Sequence, residues 1–275
     1  VRAAHARGGE REAARLLKAA VTAGQAPGVD GAGRITLVGA GPGARDLLTL
    51  RAVQRLQEAD VIYYDRLVDP AVLELARRDA QRVYVGKSVG AHEWPQERIC
   101  ALIVASARQG QRVVRLKSGD PGLFGRAEEE LSAARAAGIA VEIVPGVTAA
   151  SAAAASLGRA LTERGATDHL ILATGTARDG AGAPDIAALA RPGAVLALYM
   201  ATRQLGRIRA DLLAAGWPGE TEVEAVASAS TAEERIARGT LDSMESALAG
   251  IAHPAIVLVR FAKDACARPV QLRRA

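Results

Sequence analysis

Three short glycine-containing segments each follow an apolar, strand-like run, and this arrangement limits the possible folds more than any other feature. GAGPG (39–43) follows ITLV, SGDPG (118–122) follows RVVRLK, and PGVTAA (145–150) follows VEIV. Glycine lets the backbone turn sharply and approach a neighbour closely. If the runs are parallel strands, the loops share one carboxyl edge of a sheet, where open α/β sheets bind ligands. The pattern predicts an α/β fold with a small-molecule site at that edge.

Beyond the first 33 residues, strand-like apolar runs alternate with segments whose apolar residues recur at helical spacing, which predicts βαβ units with parallel pairing. The first helix is expected at Asp46–Ala59, with Asp46 as its N-cap and Leu50 and Leu56 at near-helical spacing. Strands are predicted over 35–40, 61–65, 82–87, 112–117, 141–146, 169–175, 194–200, 222–228 and 255–261. Helices are predicted over 46–59, 70–78, 95–108, 127–137, 148–156, 185–190, 203–215 and 241–248.

A length of 275 residues suits one large or two small domains. A break in the pattern at 158–168 separates two halves that each contain strands and helices. The predicted division is an N-terminal helix and linker (1–33), an N-terminal α/β domain (34–157), a C-terminal α/β domain (158–263) and a basic tail (264–275). A cleft is expected between the two α/β domains.

Composition excludes several classes of protein. No apolar run is long enough to span a membrane, and the first residues lack the apolar core of a signal peptide. Cys100 and Cys266 are too few for a disulfide framework, so a reducing, cytoplasmic compartment is expected. The histidines and cysteines show no metal-ligand spacing, so no metal is expected.

The charge balance is basic, with a formal net charge of +5 and a pI near 9.6. It suits a polyanionic small molecule, although an arginine-rich composition bias explains the value equally well. Aromatic residues are only 3% of the chain, so no stacking platform for nucleic-acid bases is expected. We therefore expect an acidic small-molecule partner, and neither a nucleic acid nor a membrane.

GAGPGA also fits the dinucleotide-binding pattern G-x-G-x-x-[GA] after a strand and before a helix. Asp65, at the end of the second strand, stands where a ribose-binding acid would. A nicotinamide-dependent oxidoreductase is therefore a competing interpretation. Pro42 counts against it, because proline removes a backbone N–H that a pyrophosphate would need.

Charged side chains stand at the ends of two predicted strands. Asp65 and Arg66 close one strand, and Lys87 closes the next. Taken singly, Asp65 is explained as a residue that caps a turn, and Lys87 is explained as a solvent-exposed lysine. Together at one sheet edge they could move protons or hold a ligand. Arg126, beyond the second glycine loop, adds a guanidinium suited to carboxylates.

The second and third glycine loops carry hydrogen-bonding groups. Ser118 and Gly119 allow close approach, and the Asp120 carboxylate can accept from a hydroxyl or an amine. Thr148 and Ala149 open a helix whose first N–H groups are exposed donors. An ordinary turn and an ordinary helix start explain the same residues without a ligand.

These motifs occur together and in this order in uroporphyrinogen-III C-methyltransferases and in the methyltransferase half of siroheme synthases, which the chain resembles over about 34–262. The motifs are VGAGPG, LLTL, ADVIYYDRLV, VGK, RVVRLKSGDP, FGR and VPGVTAAS. The resemblance implies the tetrapyrrole methylase fold, with two α/β domains, an inter-domain cleft and usually a homodimer. It also implies S-adenosylmethionine as methyl donor and S-adenosylhomocysteine as product. The leading helix at 10–21 resembles the end of a preceding domain.

The resemblance also implies roles for single residues. Asp65 matches the family's proposed proton acceptor and Lys87 its proposed proton donor, while Arg66 and Arg126 are expected to bind substrate. The donor site would comprise Pro42, Ser118, Gly119, Asp120, Leu123, Thr148, Ala149, Met200 and Ala229. Because the substrate carries many carboxylates, a basic field is expected beside it. Its members would be Arg66, Lys87, Arg115, Lys117 and Arg126.

Several positions depart from the family's usual residues. Ser118, Ala127 and Ala201 stand where glycine is usual, and Gly122 stands where a bulky apolar residue is usual. Glu163 and Thr176 replace histidines, and Ala229 and Ser230 replace a Gly-Thr pair. Backbone contacts to the donor can survive such changes, whereas Gly122 and Glu163 alter the acceptor side.

The sequence thus predicts S-adenosylmethionine-dependent methylation of uroporphyrinogen III to precorrin-2, for siroheme or cobalamin synthesis. The alternatives are methylation of a later precorrin, a donor-binding homologue without turnover, and the oxidoreductase.

Overall fold

A computed structural model describes residues 33–86, 95–176, 184–189 and 191–263. The predicted helix at 10–21, Lys87, Cys266 and the basic tail lie outside these residues. Within the described part of the chain, no helix is both long and apolar enough to cross a lipid bilayer.

The first half contains a five-stranded sheet in the order β3-β2-β4-β1-β5, with every neighbouring pair parallel. Its strands are β1 (Arg34–Gly39), β2 (Val61–Tyr64), β3 (Gln81–Tyr84), β4 (Arg112–Lys117) and β5 (Ala140–Val144). Because β1 lies between β4 and β5, the loops that follow these three strands meet at one carboxyl edge. The predicted convergence of the glycine loops is therefore confirmed.

Helices cover both faces of this sheet. They are α1 (Leu50–Glu58), α2 (Pro70–Leu73), α3 (Gln96–Arg108) and α4 (Ala127–Ala136), with a 3₁₀ turn at Arg45–Leu47. A fifth helix, α5 (Ala149–Ser156), follows β5, and its buried alanines pack against strands of the second half. Leu56 and Ile62 lie in the buried cluster on one face, and Leu37 and Ile103 lie in the cluster on the other. Each fully buried side chain of this size stabilises the fold by about 1.5–3 kcal/mol.

Two predicted helices of the first half differ from their predicted bounds by more than one residue. The helix expected from Asp46 begins at Leu50 instead, because Thr49 is the N-cap and its Oγ1 accepts from Ala52 N at 3.2 Å. The prediction that Asp46 caps the helix is wrong, since Asp46 lies in the preceding 3₁₀ turn. The α2 helix ends at Leu73 rather than residue 78, because backbone bonds to the third preceding residue tighten the next segment into turns.

The second half contains a mixed five-stranded sheet in the order β6-β7-β10-β8-β9. Its strands are β6 (His169–Thr174), β7 (Ala194–Tyr199), β8 (Glu222–Ala227), β9 (Arg235–Thr240) and β10 (Ala255–Phe261). Only β6 and β7 pair in parallel, so the prediction of parallel pairing is wrong here. The segment joining β8 to β9 is too short for a crossover helix, so these strands pair antiparallel.

The helical elements of this half are a 3₁₀ turn at Ala187–Leu189, α6 (Leu205–Ala214) and α7 (Met244–Ala247). They enclose one face of the second sheet, where Leu198, Leu212 and Trp217 are buried together. The other face is covered by α5, whose Ala150 and Ala153 join a cluster with strands β7, β8 and β10. Alanine side chains let the helix backbone lie close to the sheet.

The packing of α5 on the second sheet positions the third glycine loop. Helix α5 follows the third glycine loop, so its contact with the second sheet brings that loop against β7. The predicted division places α5 in the N-terminal domain, although its core contacts include the second sheet. The domain boundaries themselves stay a prediction.

Candidate functional site

The first and second glycine loops are joined by backbone hydrogen bonds. Gly119 N donates to Gly41 O at 2.7 Å, and Gly41 N donates to Gly119 O at 3.2 Å. Ala40 N also donates to Lys117 O at 2.7 Å, which extends the strand pairing into the loops. The two loops therefore form one rigid backbone surface at the edge of the sheet.

The third loop packs directly on the other two at Gly146. A Cβ on Gly39 would lie 2.6 Å from Gly146 N and 2.7 Å from Gly119 O. At these positions glycine is required because loop meets loop, and not only because a ligand approaches. Any side chain on Gly39 would push the loops apart.

The Asp120 side chain ties the second loop to the third. Its Oδ1 accepts from Gly122 N at 2.8 Å, and its Oδ2 accepts from Gly146 N at 3.1 Å. An ionised carboxylate can accept about four hydrogen bonds, so it retains acceptor capacity for a ligand hydroxyl or amine. Leu123, one turn on, donates its N–H to Asp120 O at 3.2 Å and is half-buried.

Tyr199, at the end of β7, connects the second sheet to the third loop. Its hydroxyl accepts from Ala150 N at 3.2 Å and is also hydrogen-bonded to Thr148 Oγ1. The ring packs against Phe124, with centroids 4.9 Å apart. Sequence reasoning did not single out Tyr199; its one signal was its position beside Met200 at a strand end.

The second sheet also meets the first glycine loop. Ala44 N donates to Ser230 Oγ at 3.3 Å, and a Cβ on Gly43 would lie 3.4 Å from Ala229 O. These contacts bring the segment containing Pro42 beside the turn that follows β8. Met200 follows Tyr199 with a positive φ of 54° and is half-exposed.

The predicted donor residues thus lie on segments that the structure brings together from both sheets. Their segments are the three loops and the turns after β7 and β8, which carry Pro42, Ser118, Gly119, Asp120, Leu123, Thr148, Ala149, Met200 and Ala229. Their role in binding stays a prediction.

Asp65 follows β2 at the same carboxyl edge. Its Oδ1 accepts from Leu67 N at 3.2 Å, so it caps a turn, and its Oδ2 accepts from Arg115 Nη2 at 3.3 Å. The side chain is 29% exposed and can still be reached by a ligand. The adjacent Arg66 is exposed, and the roles proposed for both residues stay predictions.

Arg126 is exposed and has a left-handed backbone conformation with φ of 55°. Its guanidinium makes two hydrogen bonds to Glu129 at 2.8 Å each, which together raise the pKa of Arg126. A substrate carboxylate would have to compete with or join this pair.

Two members of the expected basic field are buried rather than exposed to solvent. Arg115 and Lys117 are two residues apart on β4, so their side chains share one face of the strand. Both are buried, with side chains 4% and 6% exposed. Both form ion pairs with Glu130 at 3.0 Å. Burial, and then the charge of Arg115, lowers the pKa of Lys117. Because both charges are paired with a buried carboxylate, the expectation that Arg115 and Lys117 belong to a receptive basic field beside the substrate is wrong.

Three of the residues that depart from the family pattern, Gly122, Glu163 and Thr176, are exposed, and Ser118 is half-buried. The Glu163 backbone forms a bridge to Thr167 with both bonds at 2.8 Å. Thr176 Oγ1 donates to Met200 O at 2.8 Å and so supports the turn after β7. The threonine that replaces the usual histidine at position 176 is therefore hydrogen-bonded within the protein.

A separate groove of about 510 Å³ lies between α3 and α4, lined in part by Gln96, Cys100 and Ala133. None of the glycine-loop residues lines it. Burial, and then the charge of Glu130, raises the pKa of the Cys100 thiol. Among the described residues, no group of three His, Cys, Asp or Glu could hold a metal ion.

Comparison with known protein sequences gives one consistent result. The family described as Tetrapyrrole (Corrin/Porphyrin) Methylases matches residues 34–245. A siroheme synthase of Sodalis glossinidius (strain morsitans) is 43% identical over 254 residues, covering 92% of this chain and 53% of that protein. A siroheme synthase of Zymomonas mobilis subsp. mobilis is 45% identical over 227 residues, covering 82% and 48%. The chain thus spans about half the length of these curated relatives.

Solved structures match the same region. A uroporphyrin-III C-methyltransferase of Thermus thermophilus, complexed with S-adenosylhomocysteine, has a TM-score of 0.72 and 39% identity over 83% of this chain and 97% of that one. A cobalt precorrin-4 methyltransferase has a TM-score of 0.75 and 29% identity over 82% and 94%. These matches confirm the predicted fold.

Proposed function

Because the chain belongs to the tetrapyrrole methylase family, we propose that it transfers methyl groups from S-adenosylmethionine to uroporphyrinogen III and forms precorrin-2. The observation that carries this proposal is the 39% identity, over 83% of the chain, to a uroporphyrin-III C-methyltransferase crystallised with S-adenosylhomocysteine. The siroheme synthase relatives support siroheme synthesis as the pathway. A homodimer and a cytoplasmic location are part of the proposal.

The three loops fit such a donor. They offer the acceptor capacity of Asp120 and the start of α5, whose N-cap residue Thr148 makes no side-chain cap bond. The half-exposed Met200 adds an apolar contact from the second sheet. The residues that would hold the donor are Pro42, Ser118, Gly119, Asp120, Leu123, Thr148, Ala149, Met200 and Ala229.

When bound, S-adenosylmethionine supplies an electrophilic methyl group: the bond from a pyrrole carbon to this methyl forms as the sulfur–methyl bond breaks, and that electron pair stays on sulfur. The protein contributes proximity and orientation. For each methyl group gained, the macrocycle loses one proton, and Asp65 is the proposed acceptor. Its position at the loop edge and its 29% exposure support this role.

The remaining charged residues serve the acceptor. Arg66 and Arg126 would hold substrate carboxylates, since guanidinium groups bind them with two parallel hydrogen bonds. Lys87 would give a proton to the macrocycle or hold another carboxylate. Lys87→Ala should therefore raise KM for the acceptor or lower turnover without changing donor affinity.

A later precorrin is the second candidate acceptor. The TM-score of 0.75 to a cobalt precorrin-4 methyltransferase and the changes at Gly122 and Glu163 favour it. The lower identity to that protein, 29% against 39%, ranks it below uroporphyrinogen III.

An anaerobic substrate panel tests the proposal. The protein is incubated with S-adenosylmethionine and either uroporphyrinogen III or a later precorrin, and product masses are measured. We expect two methyl groups on uroporphyrinogen III. A gain only on the later precorrin would support the second candidate. Binding of S-adenosylhomocysteine without any methyl gain would instead identify a homologue without turnover, and binding of NAD alone would identify the oxidoreductase.

A further inference from the structure

Glu130, on α4, is a fully buried carboxylate that the proposed mechanism does not use. Its Oε1 accepts from Arg115 Nε at 3.0 Å and from Gln96 Nε2 at 3.1 Å. Lys117 Nζ donates to both of its oxygens, at 3.0 and 3.1 Å. A buried carboxylate with this many donors is held in a single position.

Arg115 connects this buried carboxylate to the site. Its Nε donates to Glu130, its Nη1 donates to Leu116 O at 3.0 Å and Tyr63 O at 3.4 Å, and its Nη2 donates to Asp65 Oδ2 at 3.3 Å. The guanidinium is planar and rigid, so fixing Nε and Nη1 also fixes the direction of Nη2. One guanidinium therefore bonds both the buried Glu130 and the Asp65 carboxylate.

We propose that Glu130 is a positioning residue for Asp65, acting through Arg115. The inference rests on the proposed function, in which Asp65 accepts the proton lost by the methylated macrocycle. The turn contact from Leu67 N holds Oδ1, and Arg115 holds Oδ2. Together they aim the carboxylate while leaving it 29% exposed for substrate.

A purely structural role for Glu130 makes a different prediction. Glu130 also neutralises Lys117, and breaking a buried ion pair destabilises a protein whichever partner is removed. The hydrogen bonds of Lys117 Nζ described by the structure go to Glu130 and not to Asp65. Lys117→Met is therefore a matched control, because it removes one ion pair of Glu130 and retains the hydrogen bonds from Arg115 to Glu130 and to Asp65.

The test is a double-mutant cycle with Glu130→Gln, Asp65→Asn and the double variant. We expect Glu130→Gln to lower kcat with uroporphyrinogen III about tenfold or more while the Kd for S-adenosylhomocysteine changes less than about twofold. In the Asp65→Asn background, Glu130→Gln should have little further effect, because both changes remove the same function. Lys117→Met should lower the melting temperature and leave kcat within about twofold of wild type.

Arg115→Lys provides a second route to the same answer if Glu130→Gln does not fold. It keeps the positive charge beside Glu130 but loses the fork that reaches Asp65, and it should reproduce the loss of kcat. Wild-type kcat in both variants, or full additivity with Asp65→Asn, would overturn the proposal. Wild-type kcat in Asp65→Asn would overturn it as well.

Crystal structures of wild type and Glu130→Gln give a readout that does not depend on turnover. We expect the Asp65 carboxylate to move or to lose its bond to Arg115 in the variant. An unmoved carboxylate would overturn the positioning role. Absence of turnover by the wild type would instead overturn the proposed function, and the two crystal structures would still decide the role of Glu130.

Discussion

Thr148 and Tyr199 share a hydrogen bond that ties the start of α5 to the end of β7. The Tyr199 hydroxyl also accepts from Ala150 N at 3.2 Å, so it satisfies one N–H group of the first turn of α5. The bond joins a loop of the first sheet to a strand of the second. It therefore fixes how the two halves meet at the candidate donor site.

Tyr199→Phe should weaken donor binding. Loss of the hydroxyl removes the partner of Ala150 N and Thr148, at a cost of about 1 kcal/mol. If the donor needs this arrangement, its affinity falls about fivefold for each such kcal/mol. Calorimetric titration with S-adenosylhomocysteine measures the change.

Tyr63→Phe is the matched control for this prediction. It removes a buried hydroxyl that bonds to Ser106 Oγ at 2.8 Å, between β2 and α3. The control should lose stability but keep donor affinity. Equal affinity in both variants would show that Tyr199 does not organise the donor site.

Gly39→Ala should separate the glycine loops. The added Cβ would lie 2.6 Å from Gly146 N and 2.7 Å from Gly119 O, and both are backbone atoms. Overpacking of this kind costs about 1–3 kcal/mol and would displace the backbone offered to the donor. We expect binding of S-adenosylhomocysteine to weaken about tenfold or more by calorimetry.

Gly138→Ala separates this effect from a general loss of stability. Gly138 follows α4 with φ of 68°, and nothing lies within 4 Å of an added Cβ. The variant should lose about 1 kcal/mol from its left-handed backbone and retain donor affinity. If Gly39→Ala binds the donor as tightly as Gly138→Ala does, the loops do not form the binding surface.

Asp65→Ala should abolish turnover while leaving donor affinity nearly intact. The reason is that Asp65 is proposed to act on the acceptor after methyl transfer, and it lies after β2 rather than in a glycine loop. Steady-state kinetics and calorimetry on the same preparation measure both quantities. Unchanged turnover would remove Asp65 from the mechanism.

Asp60 gives a stability prediction with a defined pH dependence. Burial alone would raise the pKa of Asp60, but the hydrogen bonds and charge of Arg112, together with the charge of Arg77, lower it from 3.8 to about 2. A lowered folded-state pKa contributes stability above the ordinary value, and this contribution is lost as pH falls towards about 2. The contribution near neutral pH is about 2 kcal/mol.

Asp60→Asn should therefore destabilise the protein at pH 7, and the difference from wild type should shrink as the pH falls below 4. Urea unfolding across this range measures it. Asp46→Asn, at an exposed carboxylate, is the control. A difference that stays constant with pH would contradict the electrostatic account.

The sequence predicted those parts of the fold and site that depend on local pattern. The loops after β1, β4 and β5 could be placed at one edge because parallel strands carry their loop residues there. Strand β10 was predicted with its observed bounds because its first five residues, AIVLV, form an uninterrupted apolar run. Strand β9 was missed, since the charged and small residues of RIARGT do not form a strand-like apolar run.

Long-range contacts could not be predicted in the same way. Glu130 lies in an acidic run, AEEEL, that looks like a solvated helix start, and only the fold shows that it is buried beside Arg115. Tyr199 reaches Thr148 across 51 positions of sequence. Arg115 and Lys117 were expected to join the basic field beside the substrate, because a single sequence does not show that Glu130 of α4 covers their face of β4.

Transfer of an isotopically labelled methyl group tests the central claim most directly. The protein is incubated anaerobically with S-adenosylmethionine labelled with ¹³C at its methyl group and with freshly generated uroporphyrinogen III, and the tetrapyrrole is examined by mass spectrometry and NMR. The account predicts two labelled methyl groups bonded to ring carbons of the product. A tetrapyrrole without label, in a preparation that still binds S-adenosylhomocysteine, would contradict it.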